Sequence, residues 1–141
     1  MRFERHIHSG KPPTEVLRLV ADFRHLQSWD DSVVSVEPLD EVFGQGSRYR
    51  VRVLFSGNPI DMVYTVSMYE AGVRAVVSGV ASKAKATDTI EVESSGEGTI
   101  IKYTAEIDMA FPFNLLDPVL AIGFKKTVDR AVLGLQRFLA S

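Results

Sequence analysis

The sequence predicts an α+β fold, a curved antiparallel β-sheet of about six to seven strands wrapped around one long C-terminal α-helix, with two short helices after the first strand. Three observations carry that expectation. Apolar and polar residues alternate at period two through most of the chain between Val33 and Phe111. The alternating runs are separated by short turn signals, Ser56-Gly57-Asn58-Pro59, Ala71-Gly72 and Ser95-Gly96-Glu97-Gly98, which suit hairpins of an antiparallel sheet. The period then changes. From Asn114 to Ala140, residues Leu116, Leu120, Phe124, Val128, Ala131, Leu135 and Phe138 recur at helical spacing, with Lys125, Lys126, Asp129, Arg130, Gln136 and Arg137 opposite.

Arg2 to His8 reads as the first strand, with Phe3 and Ile7 on one face. Lys11-Pro12-Pro13-Thr14-Glu15 ends it and opens a helix, since proline is tolerated in a first turn and Glu15 suits the positive end of the dipole. Val16, Leu17, Val20, Ala21 and Phe23 keep helical spacing. A second short helical piece over Arg24 to Gln27 ends near Trp29, and Asp30-Asp31 leads into a loop. Val33 to Val36 is a candidate strand, followed by a turn at Pro38-Leu39-Asp40 and the glycine loop Gly44-Gln45-Gly46.

Arg48 to Phe55 points Tyr49, Val51, Val53 and Phe55 inward. Ile60 to Tyr69 does the same with Ile60, Met62, Tyr64, Val66 and Met68, and Val73 to Val80 with Val73, Ala75 and Val77. Ala84 to Ser94 puts Ala86, Asp88, Ile90 and Val92 on one side. Thr99 to Phe111 is the longest strand, presenting Ile101, Tyr103, Ala105, Ile107, Met109 and Phe111. Asn114 followed by Asp117 resembles a cap for the last helix, and Pro118 is acceptable in its first turn. At about 26 residues that helix would be roughly 39 Å long, enough to cross a curved sheet.

The 141 residues form one expected domain with an ordinary apolar fraction of 45%. A net charge of −2 and a pI near 5.9 give no global basic field, which counts against nucleic acid as a partner. The absence of cysteine rules out disulfides and thiolate metal sites. No apolar run reaches the roughly 18 residues of a membrane span. The N-terminal stretch Met1 to His6 has no apolar segment after its charges, so a cytoplasmic protein without a signal peptide or integral membrane segment is expected.

Candidate chemistry is sparse. His6 and His8 share a strand face, but no third ligand has matching spacing, so no metal is expected. Arg48, Arg50 and Arg52 form an outward row, with Glu91, Glu93 and Asp61 as expected partners on a solvated face. There is no Ser/His/Asp set, carboxylate cluster or phosphate-cradling glycine loop. No catalytic residue and no cofactor are therefore assigned. Asp88 is the discordant residue, because a carboxylate on an inward face is costly unless paired. It either faces a cavity, sits at the mouth, or is turned outward by a bulge. From Leu115 to Phe124 the only charge is Asp117, so that segment is buried on several sides, lines a cavity or meets a partner, a homodimer included.

The order of elements resembles the helix-grip fold of the START-like (SRPBCC) superfamily, in particular its polyketide cyclase/dehydrase and lipid-transport branch. The local matches are Pro12-Pro13-Thr14-Glu15-Val16, the Asp22-Phe23 to Trp29 segment, Gly44-Gln45-Gly46-Ser47-Arg48-Tyr49 and the closing helix, and together they cover essentially the whole chain. The resemblance implies a deep cavity between sheet and helix that holds a small hydrophobic or amphipathic, lipid- or polyketide-like ligand. The inward residues are its expected lining: Tyr49, Val51, Val53, Met62, Tyr64, Val66, Val77, Asp88, Ile90, Tyr103, Ile107, Met109, Leu120 and Phe124. Leu116 joins Leu120 and Phe124 at the cavity or its mouth, with Gly123 leaving room there. Ligand binding ranks first, a cyclase or dehydratase using tyrosine and aspartate groups second, and a protein-interaction module third.

Overall fold

Hairpin follows hairpin through the middle of the chain, and the two ends of the sheet are supplied by its first strands. The computed structural model describes residues 1–141 apart from Ser56, and only the backbone of Leu116 and Asp117. The elements are β1 (Arg2–Ser9), α1 (Pro13–Ala21), a 3-10 helix (Phe23–Ser28), β2 (Val33–Pro38), β3 (Arg48–Phe55), β4 (Asn58–Glu70), β5 (Arg74–Ala81), β6 (Ala84–Ser95), β7 (Gly98–Met109), a 3-10 turn (Phe113–Leu116) and α2 (Asp117–Ala140). The strands form one antiparallel sheet in the order β1-β7-β6-β5-β4-β3-β2.

The sheet has to curl. β1 and β3 lie five strand spacings apart, about 24 Å if the sheet were flat. Yet Arg5 on β1 pairs with Asp129 at 2.9 Å, and Phe55 on β3 packs its ring on Phe124 at 4.3 Å between centroids. Both partners belong to the same stretch of α2, so the sheet wraps around that helix. The far end of α2 is clamped. Leu135 and Leu139 are fully buried, Phe138 meets His25, and a Cβ at Gly134 would overlap the Trp29 carbonyl oxygen.

Several details depart from simple alternation. A bulge at Ser67 shifts the register between Val66/Val77 and Met68/Val76, so Tyr69 rather than Met68 packs inward, edge-on to Phe43. Val73 is an exposed turn residue that precedes β5. β7 stops at Met109, ahead of the cis Phe111–Pro112 bond, and Phe111 is exposed. The last helix begins at Asp117 after the 3-10 turn, so Asn114 lies in that turn rather than at a cap; the expected role of Asp117 in capping lies outside the described side chains. Its first half is not enclosed, since Val119 and Ile122 are 70% and 65% exposed.

Of the outward arginines, Arg52 pairs with Asp61 as expected, whereas Arg48 pairs with Asp40 and Arg50 with Glu37. Glu91 lies across from Arg74 and Lys102, away from that row, because β6 does not neighbour β3. His6 and His8 are exposed, and no metal-ligating cluster occurs among the described residues.

Candidate functional site: an apolar cavity with a buried acid

Between the sheet and the middle of α2 the side chains leave a cavity of about 130 Å³. Small residues explain the gap. Ala84 and Ala86 on β6, Ala105 on β7 and Ala131 on α2 all face it, where larger side chains would close the space. The rest of its wall is mainly apolar: Val53, Leu54, Phe55, Ile60 and Met62 from β3 and β4, Ile107 from β7, and Phe124, Val128, Val132 and Leu135 from α2. The helix residues recur at three- and four-residue steps, the spacing of one helix face. β5 contributes no lining side chain. Its Gly79 lies opposite Tyr64, and a Cβ there would come within 2.6 Å of the Tyr64 ring. The glycine is the seat on which that ring rests.

The polar wall is short. Asp88 and Tyr103 face inward from neighbouring β6 and β7, and the Tyr103 hydroxyl lies close enough to the Asp88 carboxylate that each affects the other's ionisation. β6 runs unbroken here, with Asp88 opposite Ala105 and Val77, so no bulge turns the carboxylate out. Asp88 is half-buried, on the wall of the cavity. Burial pushes its carboxyl up to about 7; the polar Tyr103 hydroxyl beside it works against this rise and the nearby Asp30 charge adds to it.

Asp30 also lines the cavity, held by Ser32 through its backbone N–H (3.0 Å) and hydroxyl (2.6 Å). Burial raises its carboxyl too, against those bonds. Tyr64 and Tyr103 are pushed up by burial and then by the Asp88 charge, so both stay neutral. Tyr64 donates only a long contact, 3.6 Å to Met62 Sδ. Trp29, 5% exposed, stands edge-on to Tyr103, and its indole N–H has no partner among the described residues.

A second cleft of about 400 Å³ adjoins the cavity and shares Ser32, Leu54, Phe55, Phe124 and Thr127 with it. Its other walls are Asp31, Gly57, Gly123, Lys126 and Arg130, with Arg130 and Asp31 paired at 3.4 Å. The Phe55–Phe124 pair stands between the two spaces. The arrangement is an apolar chamber behind a polar mouth.

Of the residues singled out in the sequence, Val53, Met62, Tyr64, Asp88, Tyr103, Ile107 and Phe124 meet in this cavity. Tyr49, Val51, Val66, Val77 and Ile90 are buried outside its lining, as core. Tyr49 is tied there by its hydroxyl, which donates to Asp22 at 2.9 Å; Arg24 holds the other side of that carboxylate. Met109 and Leu120 are half-buried outside the lining, Met109 beside the Lys83 loop. Leu116 lies outside the described side chains, and Gly123 lines the mouth rather than the chamber. Sequence reasoning missed Asp30, Ser32 and Thr127. The inward alanines were the available signal for where the sheet and helix part.

A curled seven-stranded antiparallel sheet gripping a C-terminal helix, with short helices after the first strand, defines the START-like helix-grip class. The chain belongs to the polyketide cyclase/dehydrase and lipid transport family, whose model matches residues 1–139. Among solved structures it resembles TTHA0849 from Thermus thermophilus, at 22% identity and a TM-score of 0.79 over 99% of this chain and 95% of that one. A START superfamily protein from Mycobacterium smegmatis aligns at 14% identity and a TM-score of 0.76, over 99% of each chain. DR_A0006 from Deinococcus radiodurans aligns at 15% identity and a TM-score of 0.69, covering 98% of this chain and 94% of its own. At these identities the likeness establishes the fold alone. No curated protein matches the sequence. No helix among the described residues is long and apolar enough to cross a membrane.

Proposed function

We propose that the protein binds a small amphipathic molecule, with an apolar body in the chamber and any larger polar part in the mouth. The observation that carries this reading is the Asp88–Tyr103 pair set in an otherwise apolar cavity. A buried carboxylate without a cation is a cost to folding, and it is readily understood as a group that reads a ligand. The unpartnered Trp29 N–H supports the same reading, since a ligand oxygen would supply its missing acceptor. Size fits as well. A dry cavity of about 150 Å³ accepts a benzene-sized body, and the adjoining cleft brings the space toward the range of about 300–1,000 Å³ usual for ligand sites.

The test is native mass spectrometry on gently purified protein, followed by titration with the released molecule. A non-covalent adduct that weakens on Asp88→Ala is expected. Unchanged affinity in that variant removes the role of the pair, and a protein that neither retains nor takes up any apolar molecule removes the binding reading.

The same pair favours a second reading, a cyclase or dehydratase. A carboxyl that titrates close to neutrality suits proton transfer, and the Tyr103 hydroxyl would polarise a carbonyl. Turnover of a polyketide-like substrate that is lost on Asp88→Asn, while binding survives, would distinguish it from simple carriage.

A further inference from the structure

The charges on the cavity wall have only one sign. Asp30 and Asp88 both line it, and no lysine, arginine or histidine does among the described residues. Asp88 faces Tyr103 from β7, Tyr64 from β4 and Asp30 from the loop before β2; α2 presents Thr127 and apolar residues. Arg130, whose charge acts on Asp30, stands at the mouth and is already paired with Asp31. Buried carboxylates normally face a cation, and here none lines the chamber.

We infer that the missing cation belongs to the ligand, and that the chamber takes a protonated amine on a ring-sized apolar body, held by Asp88 and Asp30. This rests on the ligand-binding reading above and names the chemical class. Two features support the amine and its size independently of the acids, and a third points to a bound molecule in the same chamber. Trp29, Tyr64 and Tyr103 supply aromatic faces, the surfaces on which ammonium groups are favoured once desolvated. The cavity volume of about 130 Å³ suits one ring with a short arm. The unpartnered Trp29 N–H leaves a vacancy for an oxygen on the same molecule.

The alternatives fit less well. A carboxylate or phosphate end would bring a third negative charge into a low-dielectric space that offers it no cation. A neutral carbonyl would accept from protonated Asp88, yet would leave the Asp30 charge with no cation in the chamber. An ammonium supplies a positive charge to the wall that carries both carboxylates. Its affinity should rise with pH as Asp88 loses its proton, whereas a neutral analogue should show no such dependence.

The experiment compares three probes of one shape by calorimetric or NMR titration at about pH 8: 2-phenylethylamine, 2-phenylethanol and phenylacetate. The amine is expected to bind at least about tenfold tighter than the alcohol, and phenylacetate weakest. Asp88→Asn should erase the preference for the amine and leave the alcohol within about threefold. Asp30→Asn, a second variant, should reduce the preference by a smaller factor, which keeps the test in force if the first variant folds poorly. Alcohol binding as tight as the amine, or tighter phenylacetate, overturns the amine assignment and leaves the cavity as a ligand site. Failure of all three probes to bind at millimolar concentration overturns both.

Discussion

Asp88 should make the protein less stable as the pH rises, and removing its charge should reverse that. In the unfolded chain its carboxyl ionises near the ordinary value of 3.8, and in the fold at about 7. Between those values the native state binds the extra proton. The contribution of Asp88 is therefore fully present below about pH 4, declines through pH 7, and is lost above it. A separation of about three units at 1.36 kcal/mol each gives roughly 4 kcal/mol as the upper bound. Asn cannot ionise but keeps the size and polarity of the protonated side chain, so Asp88→Asn should match the parent near pH 4. Near pH 8 it should be more stable by about 2–4 kcal/mol, which at this chain length is on the order of 10 °C in Tm. The assay is thermal unfolding of both proteins, without ligand, from about pH 4 to pH 9. Asp30 is raised in the same direction, so the variant should retain a shallower slope. Melting curves that stay parallel across the whole range would refute the argument, because they would mean that Asp88 ionises as it does in water.

Other substitutions probe the shape of the site. Gly79→Ala drives a methyl group into the Tyr64 ring, which should cost about 1–3 kcal/mol in denaturant melts and reduce uptake of 2-phenylethanol as the ring moves into the chamber. An unchanged affinity would mean that the ring yields in another direction. Tyr49→Phe removes the hydrogen bond to Asp22 and should cost about 1–2 kcal/mol while leaving probe affinity alone, because Tyr49 is outside the cavity. Gly123→Leu meets open space on an exposed helix and should gain up to about 1 kcal/mol from helix propensity. It should also slow probe association in stopped-flow, and an unchanged association rate would place the route of access elsewhere.

The architecture was legible because each of its elements writes a period into the chain. Arg48–Phe55 was readable to the residue, and the change of period after Asn114 announced the closing helix. Alternation records only which face a side chain takes. It does not record how far the opposing layer stands from that face. Tyr49 and Tyr64 stand directly opposite each other on β3 and β4, both facing inward, yet one is locked to Asp22 in packed core and the other borders empty space. Nor does alternation mark a bulge. Ser67 exchanged Met68 for Tyr69 with no glycine or proline to signal it. Asp30 escaped notice because two adjacent aspartates after a short helix look like a solvated exit, whereas Ser32 folds the first of them back inward.

What sets the distance between sheet and helix is the contact at the far end of α2. Gly134 lets the helix backbone come against the Trp29 carbonyl, and Leu135 and Leu139 bury completely just beyond it. At the other end of the helix Val119 and Ile122 are exposed. Ala131, Val128 and Phe124 line the cavity in turn, and the alanines of β6 and β7 keep the facing wall low. The chamber lies between the clamped end and the exposed one. Asp88 and Asp30 are thus half-buried on the wall of a chamber that opens to the mouth, so a ligand that enters can displace water from two charges.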